Sequence, residues 1–390
     1  MHELLEIAIV IISAKIGGEV SEYFGQSPIL GQIIVGMVLG PSALGLVAYD
    51  EMIKLLAEFG IIFLIFMVGL QTRPRDIKEV GVPSGLLALG GVILPFLGGI
   101  GSAFFFGFHW QEGLILGAAL SATSVALTAG VLMDLGRIRT KAAEMILAAA
   151  VIDDVIGLLI LTMTIAVLGA GGMNPIISLL YALIFWAVLF PVGWKAVPII
   201  TSRLRRMKTE GGLFVIVLGI LFLFAFAAES TGLAGIVGAF LMGMILSETH
   251  DSDMIMKSTL PIYYFLAPVF FVSIGILFDI SVLLSAPLMV TVVTVVAILG
   301  KIAGSGIGTM ISGVSGKVSL FIGFGMVPRG EVALIIAGFA RTFETDAGNP
   351  LLGSELFSVI TGMSLITILV TPSILKFIGD NYSEYLDKVK

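Results

Sequence analysis

The sequence predicts an all-α integral membrane protein of about thirteen transmembrane helices, in two inverted six-helix repeats joined by a linker helix. Three observations predict it. Of 390 residues, 58% are apolar and only 12% charged, about half the charge density of a soluble domain. The apolar residues run in blocks of about 18 or more, enough to cross about 30 Å of hydrocarbon. Glycine patterns also recur in the same order seven spans apart.

Composition excludes much. Cysteine is absent, which removes disulfide frameworks, thiolate metal sites and cysteine nucleophiles. His2, His109 and His250 lie outside the apolar blocks, so a histidine metal cluster is not expected, and no cofactor is. The net charge of −6 is too small to name a partner, and no nucleic acid is expected. Glu3 and Glu6 stand where a signal peptide carries Lys or Arg, and no small-residue cleavage site follows, so the first segment is expected to be a true span.

Apolar blocks read against punctuating Gly, Pro and charge give spans at 3–22, 28–47, 52–71, 84–106, 112–134, 141–169, 174–200, 211–229, 232–247, 258–278, 286–312, 317–341 and 351–377. Lys and Arg set their direction. One side holds Arg73, Arg75, Lys78, Arg137, Arg139, Lys141, Arg203, Arg205, Arg206, Lys208, Lys257, Lys317, Lys376, Lys388 and Lys390, the other only Lys54 and Arg341. This bias places the N-terminus outside and the C-terminus in the cytoplasm of a plasma (inner) membrane, and it requires an odd number of spans. Lys15 and Lys195 are close enough to span ends to snorkel. Lys301 and Arg329 are not.

Span 2 contains Leu30-Gly31, Val35-Gly36 and Gly40, and span 9 contains Ala234-Gly235, Val237-Gly238 and Gly243. Span 3 carries Phe66-Met67-Val68-Gly69-Leu70, and span 10 carries Phe271-Val272-Ser273-Ile274-Gly275-Ile276. Spans 1–6 then pair with spans 8–13, and partners seven apart point in opposite directions, as in many secondary transporters. Spans 5 and 12 become partners, and both should be broken. Span 12 reads Gly323-Phe324-Gly325-Met326-Val327-Pro328-Arg329-Gly330-Glu331, which an uninterrupted helix tolerates poorly. Span 5 reads Ser121-Ala122-Thr123-Ser124-Val125-Ala126-Leu127-Thr128, a hydroxyl run without proline. Small hydroxyl residues also serve simple close packing.

Asp153 lies twelve residues into span 6 from Lys141, about 18 Å at 1.5 Å per residue, hence at the bilayer centre. Asp154, Lys301, Arg329 and Glu331 fall at the same depth. An unpaired charge there costs at least about 2.5 kcal/mol, so these groups are expected to pair around a wet cavity. Adjacent helical residues diverge by about 100°, so Asp153 and Asp154 should have different tasks, one facing a cation and one available to Lys301. The same divergence argues against an intramembrane aspartyl protease. Arg329 and Glu331 are expected to hold span 12 together, with Glu58 or Glu144 as mates for Arg329.

At these residues the chain resembles the cation:proton antiporter superfamily, in its CPA2 branch with paired aspartates, the NapA-type sodium/proton antiporters. The matching stretches are Ala149-Ala150-Val151-Ile152-Asp153-Asp154-Val155, Ala122-Thr123-Ser124-Val125, Ile298-Leu299-Gly300-Lys301 and Pro328-Arg329-Gly330-Glu331-Val332. The resemblance covers essentially the whole chain and implies two broken helices crossing at mid-membrane. It also implies that Asp154 binds Na+ and H+ in turn beside Thr123 and Ser124, that Asp153 pairs with Lys301, and that the protein is a homodimer. It further implies a scaffold of 1–72 and 211–283, a linker helix over 174–205 and an ion-carrying core of 84–169 and 286–378. Paired aspartates imply electrogenic exchange. Ala129-Gly130 departs from the family, which often has an arginine there. A potassium/proton exchanger would share fold and site, and Li+ is a further possible cargo. A channel is disfavoured by a fixed Asp–Lys pair in mid-membrane, and a hydrolase by the lack of a nucleophile.

Overall fold

The computed structural model of the chain describes residues 2–71, 81–137, 140–168, 180, 184, 187–188, 190–204, 209, 211–230, 235–342 and 350–381. Every regular element among them is a helix. In order they are α1 (His2–Tyr23), α2 (Pro28–Leu39), α3 (Glu51–Gln71), α4 (Gly81–Phe105), α5 (Trp110–Ser121), α6 (Val125–Asp134), α7 (Lys141–Leu168) and α8 (Phe190–Leu204). There follow α9 (Gly212–Ser230), α10 (Gly235–Ser247), α11 (Ser252–Leu277), α12 (Ser281–Ser285), α13 (Pro287–Ile311), α14 (Gly316–Gly325), α15 (Glu331–Thr342) and α16 (Ser354–Asn381). A helix bonds its own backbone, which hydrocarbon requires of an apolar segment. Helices α3, α9, α11 and α13, with most of α4 and α16, are each long and apolar enough to cross a bilayer. Spans 5 and 12 are each built from two half-helices, α5 with α6 and α14 with α15.

Several boundaries differ from those expected. Span 2 was expected over 28–47, but α2 stops at Leu39, because Gly40 precedes Pro41 and is held extended at φ −73, ψ 177. Span 10 begins at Ser252 rather than 258. Span 7, expected over 174–200, is described as helix from Phe190 (α8), and its expected start lies outside the described residues. The short α12 was not expected; Asp279 starts it by accepting bonds from both the N–H (2.9 Å) and the hydroxyl (2.6 Å) of Ser281. Lys15 meets Glu19 one turn nearer the helix end, at 3.4 Å.

The chain divides into two compact units. One comprises Met1–Ile12, Tyr49–Asp76 and Thr162–Ser273. Its α10 is buried at every residue, the usual fate of a helix apolar all round. Helix α3 crosses α10 where two glycines face each other: a Cβ on Gly243 would lie 2.9 Å from the Gly69 Cα. The other unit comprises Ser13–Ala48, Ile77–Leu161 and Ile274–Lys390. There the end of α11 meets α2 in the same way, and a Cβ on Gly275 would lie 2.8 Å from the Gly36 Cα. Span 3 thus meets span 9, and span 10 meets span 2. Exchanging each span for its repeat partner turns one contact into the other, which is what an inverted repeat demands. The repeat partners α4 and α13 likewise approach backbone to backbone at Gly90 and Gly304, where any side chain would force them apart.

In the second unit Ala142, Ala143, Ile146, Ala149 and Ala150 of α7 pack against Val318, Phe321 and Ile322 of α14 and Leu87 of α4. In lipid such contacts are held by close van der Waals packing rather than by exclusion of water. The small alanines of α7 let it lie close, and this sets the register of Asp153.

Candidate functional site

Helix α5 ends at Ser121, Ala122 is extended at φ −66, ψ 151, and α6 begins at Val125. Helix α14 ends at Gly325, and α15 begins at Glu331. Each break strands carbonyls at one half-helix end and amides at the next start. The two breaks satisfy one another. The Ser124 N–H donates to the Pro328 carbonyl at 2.8 Å, the Thr128 hydroxyl to the Gly325 carbonyl at 2.7 Å, and the Thr123 hydroxyl to the Met326 carbonyl at 3.3 Å. Span 5 can therefore break without proline, because its hydroxyls and a freed amide find partners on span 12. Carbonyl-rich and hydroxyl-rich half-helix ends suit a hard cation.

The breaks touch at Gly330. A Cβ there would lie 2.6 Å from both Cβ and Oγ of Ser124. Gly330→Ala is therefore expected to destabilise the protein by about 1–3 kcal/mol through overpacking. Adding Ser124→Gly should restore much of the loss in thermal unfolding. If Gly330→Ala melts with the wild type, the breaks are not in contact.

Arg329 is wholly buried. Its guanidinium donates to the carbonyls of Met326 (3.1 Å) and Val327 (2.6 Å) in its own break and of Ala297 on α13 (2.9 Å). Its backbone N–H donates to the Thr367 hydroxyl on α16 at 3.1 Å. The expected mates, Glu58 and Glu144, are not among these partners. Glu144 is exposed, and Glu58 lies near Glu229. A guanidinium has five N–H groups, and the carbonyls that a broken helix leaves open are the acceptors at hand.

Lys301 Nζ lies 2.9 Å from each carboxylate oxygen of Asp153, and both side chains are 0% exposed. Asp153 on α7, Lys301 on α13 and Arg329 between α14 and α15 are thus brought into one buried polar region with Thr123 and Ser124. Asp154 follows Asp153 in α7, and Glu331 opens α15; the side chains of both lie outside the described residues. Sequence reasoning missed Thr128 and Thr367 as clasps of the breaks. A signal was present for the second, since Ser358, Thr361, Ser364, Thr367 and Thr371 recur every three or four residues along α16 and all are buried.

A family model described as "Sodium/hydrogen exchanger, transmembrane" matches residues 8–380. The chain is 37% identical to the Na(+)/H(+)-K(+) antiporter GerN of Bacillus cereus, over 95% of each chain. It is 31% identical to the high-affinity Na(+)/H(+) antiporter NhaS3 of Synechocystis sp., over 95% of this chain and 88% of that one. Its fold is similar to that of the sodium proton antiporter MjNhaP1 from Methanocaldococcus jannaschii, with a TM-score of 0.73 at 17% identity, covering 100% of this chain and 99% of that one. With nearly its whole length matched, the chain belongs to the sodium/hydrogen exchanger family.

Proposed function

We propose that the chain is a secondary active sodium/proton antiporter, exporting Na+ in exchange for H+ by alternating access. The observation that supports it most is the contact of two helix breaks, with Arg329 of one break bonded to Ala297, one turn before Lys301, and the Asp153–Lys301 pair wholly buried. An antiporter needs one site that accepts either cargo but not both. A carboxylate meets that need: ionised it offers two hard oxygens to Na+, protonated it is neutral and crosses without the metal. Asp154 takes this role, with Thr123 and Ser124 beside the ion. Asp153 and Lys301 separate and rejoin during the cycle, while Arg329 and Glu331 brace the break.

The ion-carrying core comprises 84–169 and 286–378, most of which falls within one compact unit; 1–72 and 211–283 serve as scaffold and 174–205 as the linker helix. The protein works as a homodimer in the plasma membrane, N-terminus outside and C-terminus cytoplasmic, as the bias of Lys and Arg requires. Potassium is a second cargo to consider, since the relative 37% identical is named for K+ as well as Na+. The test is dequenching of a pH-sensitive dye in proteoliposomes on adding Na+, K+ or Li+. Dequenching with Na+ supports the proposal, and none with any cation sinks it.

Exchange is expected to be electrogenic, with Lys301 as the second group that exchanges a proton. Two protons in for one sodium out moves one positive charge inward, and 100 mV changes that step by about 2.3 kcal/mol. With voltage clamped by potassium and valinomycin, an inside-negative potential should accelerate sodium efflux. A rate and reversal point indifferent to voltage would mean one-to-one exchange with Lys301 purely structural.

A further inference from the structure

Ser305 stands one turn beyond Lys301 on α13, on the same face. Its hydroxyl is 0% exposed and has no hydrogen-bond partner among the described residues. Serine and threonine in a helix ordinarily bond the carbonyl one turn back, as Thr294 does with Val290 and Thr309 does with Ser305 itself. The Ser305 hydroxyl instead faces α4 at Gly91. A Cβ on Gly91 would collide with Ser305 Oγ and would lie 3.5 Å from both Cδ and Nζ of Lys301. The space that Gly91 leaves is therefore shared by a hydroxyl and an ammonium, no more than about 6 Å apart, as i, i+4 neighbours are. The long, flexible lysine stem can span that gap by changing rotamers.

We propose that Ser305 is a positioning residue for transport: it is the second seat of the Lys301 ammonium, accepting one of its N–H groups when the ion pair with Asp153 opens. Gly91 keeps that seat clear. The inference rests on the proposed antiport cycle, in which the pair opens. An ammonium leaving its carboxylate at a site where both side chains are 0% exposed needs an acceptor at once, because an unpaired buried charge is costly. A neutral hydroxyl holds the ammonium without rivalling the carboxylate, so the lysine can return. In the paired state the hydroxyl does nothing for the lysine, which explains how it comes to be buried without a partner.

The test is Ser305→Ala in purified protein, by thermal unfolding and by Na+-dependent exchange in liposomes. The melting temperature should hold or rise, since the paired state loses no hydrogen bond. The apparent Na+ affinity should be unchanged, while the maximal rate should fall about tenfold, as for a bond made only when the pair is open. Gly91→Ala, which fills the seat from α4, should slow exchange with Ser305 intact. An unimpaired Ser305→Ala rate overturns the second seat and leaves the antiporter standing. A rate loss matched by a fall in melting temperature also overturns it, marking the serine as structural. Wild-type liposomes that show no exchange with any cation sink both.

Discussion

Replacing Asp154 by Asn is expected to abolish exchange at every pH while the protein stays folded. The substitution keeps the shape of the side chain and removes both of the tasks proposed for it, since an amide neither carries a proton nor offers a charged oxygen pair to Na+. Asp154 follows the buried Asp153 directly in α7. Its neighbour is engaged by Lys301 through both carboxylate oxygens, which is why the cargo is proposed to go to Asp154. Dye dequenching across pH 6 to 9, a range of about three units around neutrality, checks this alongside gel filtration of the variant. Substantial residual sodium/proton exchange would return the ion site to Asp153.

Replacing Lys301 by Ala lowers stability steeply, because Asp153 is then buried without a counter-charge. Breaking a buried pair from one side costs about 3–5 kcal/mol, whereas removing both partners costs much less. The double variant Asp153→Asn with Lys301→Ala should therefore melt well above Lys301→Ala alone. The bidentate 2.9 Å contact at 0% exposure makes the coupling term of this cycle large. Strictly additive losses would mean that the two residues do not interact.

The membrane fold was legible because its signals are local. A run of apolar residues of sufficient length is a span wherever it lies. The repeat was legible through glycines that need close backbone approach, and Gly36, Gly69, Gly243 and Gly275 all sit at helix crossings. The end of α2 was overrun by eight residues, although Pro41 was in plain sight; apolar composition outweighed a punctuation mark that acts on the residue before it.

Hydropathy and spacing lead one to expect five ionisable groups at one depth, because a buried charge is costly whatever surrounds it; among the described side chains, Asp153, Lys301 and Arg329 are buried. Which acceptor each group takes was decided only by the tertiary structure. The break in α5–α6 carries neither Gly nor Pro and is held open by the Gly325 carbonyl, 197 residues from Thr128. Arg329 went to carbonyls rather than to Glu58 or Glu144, because a broken helix creates acceptors that no residue letter records. Ser305 reads in sequence as one more small residue among glycines. Only the approach of α4, with Gly91 beside Lys301 Nζ, turns it into a place where an ammonium could rest. Hydrogen-bond partners of the backbone are set by packing, and packing is a property of the folded chain.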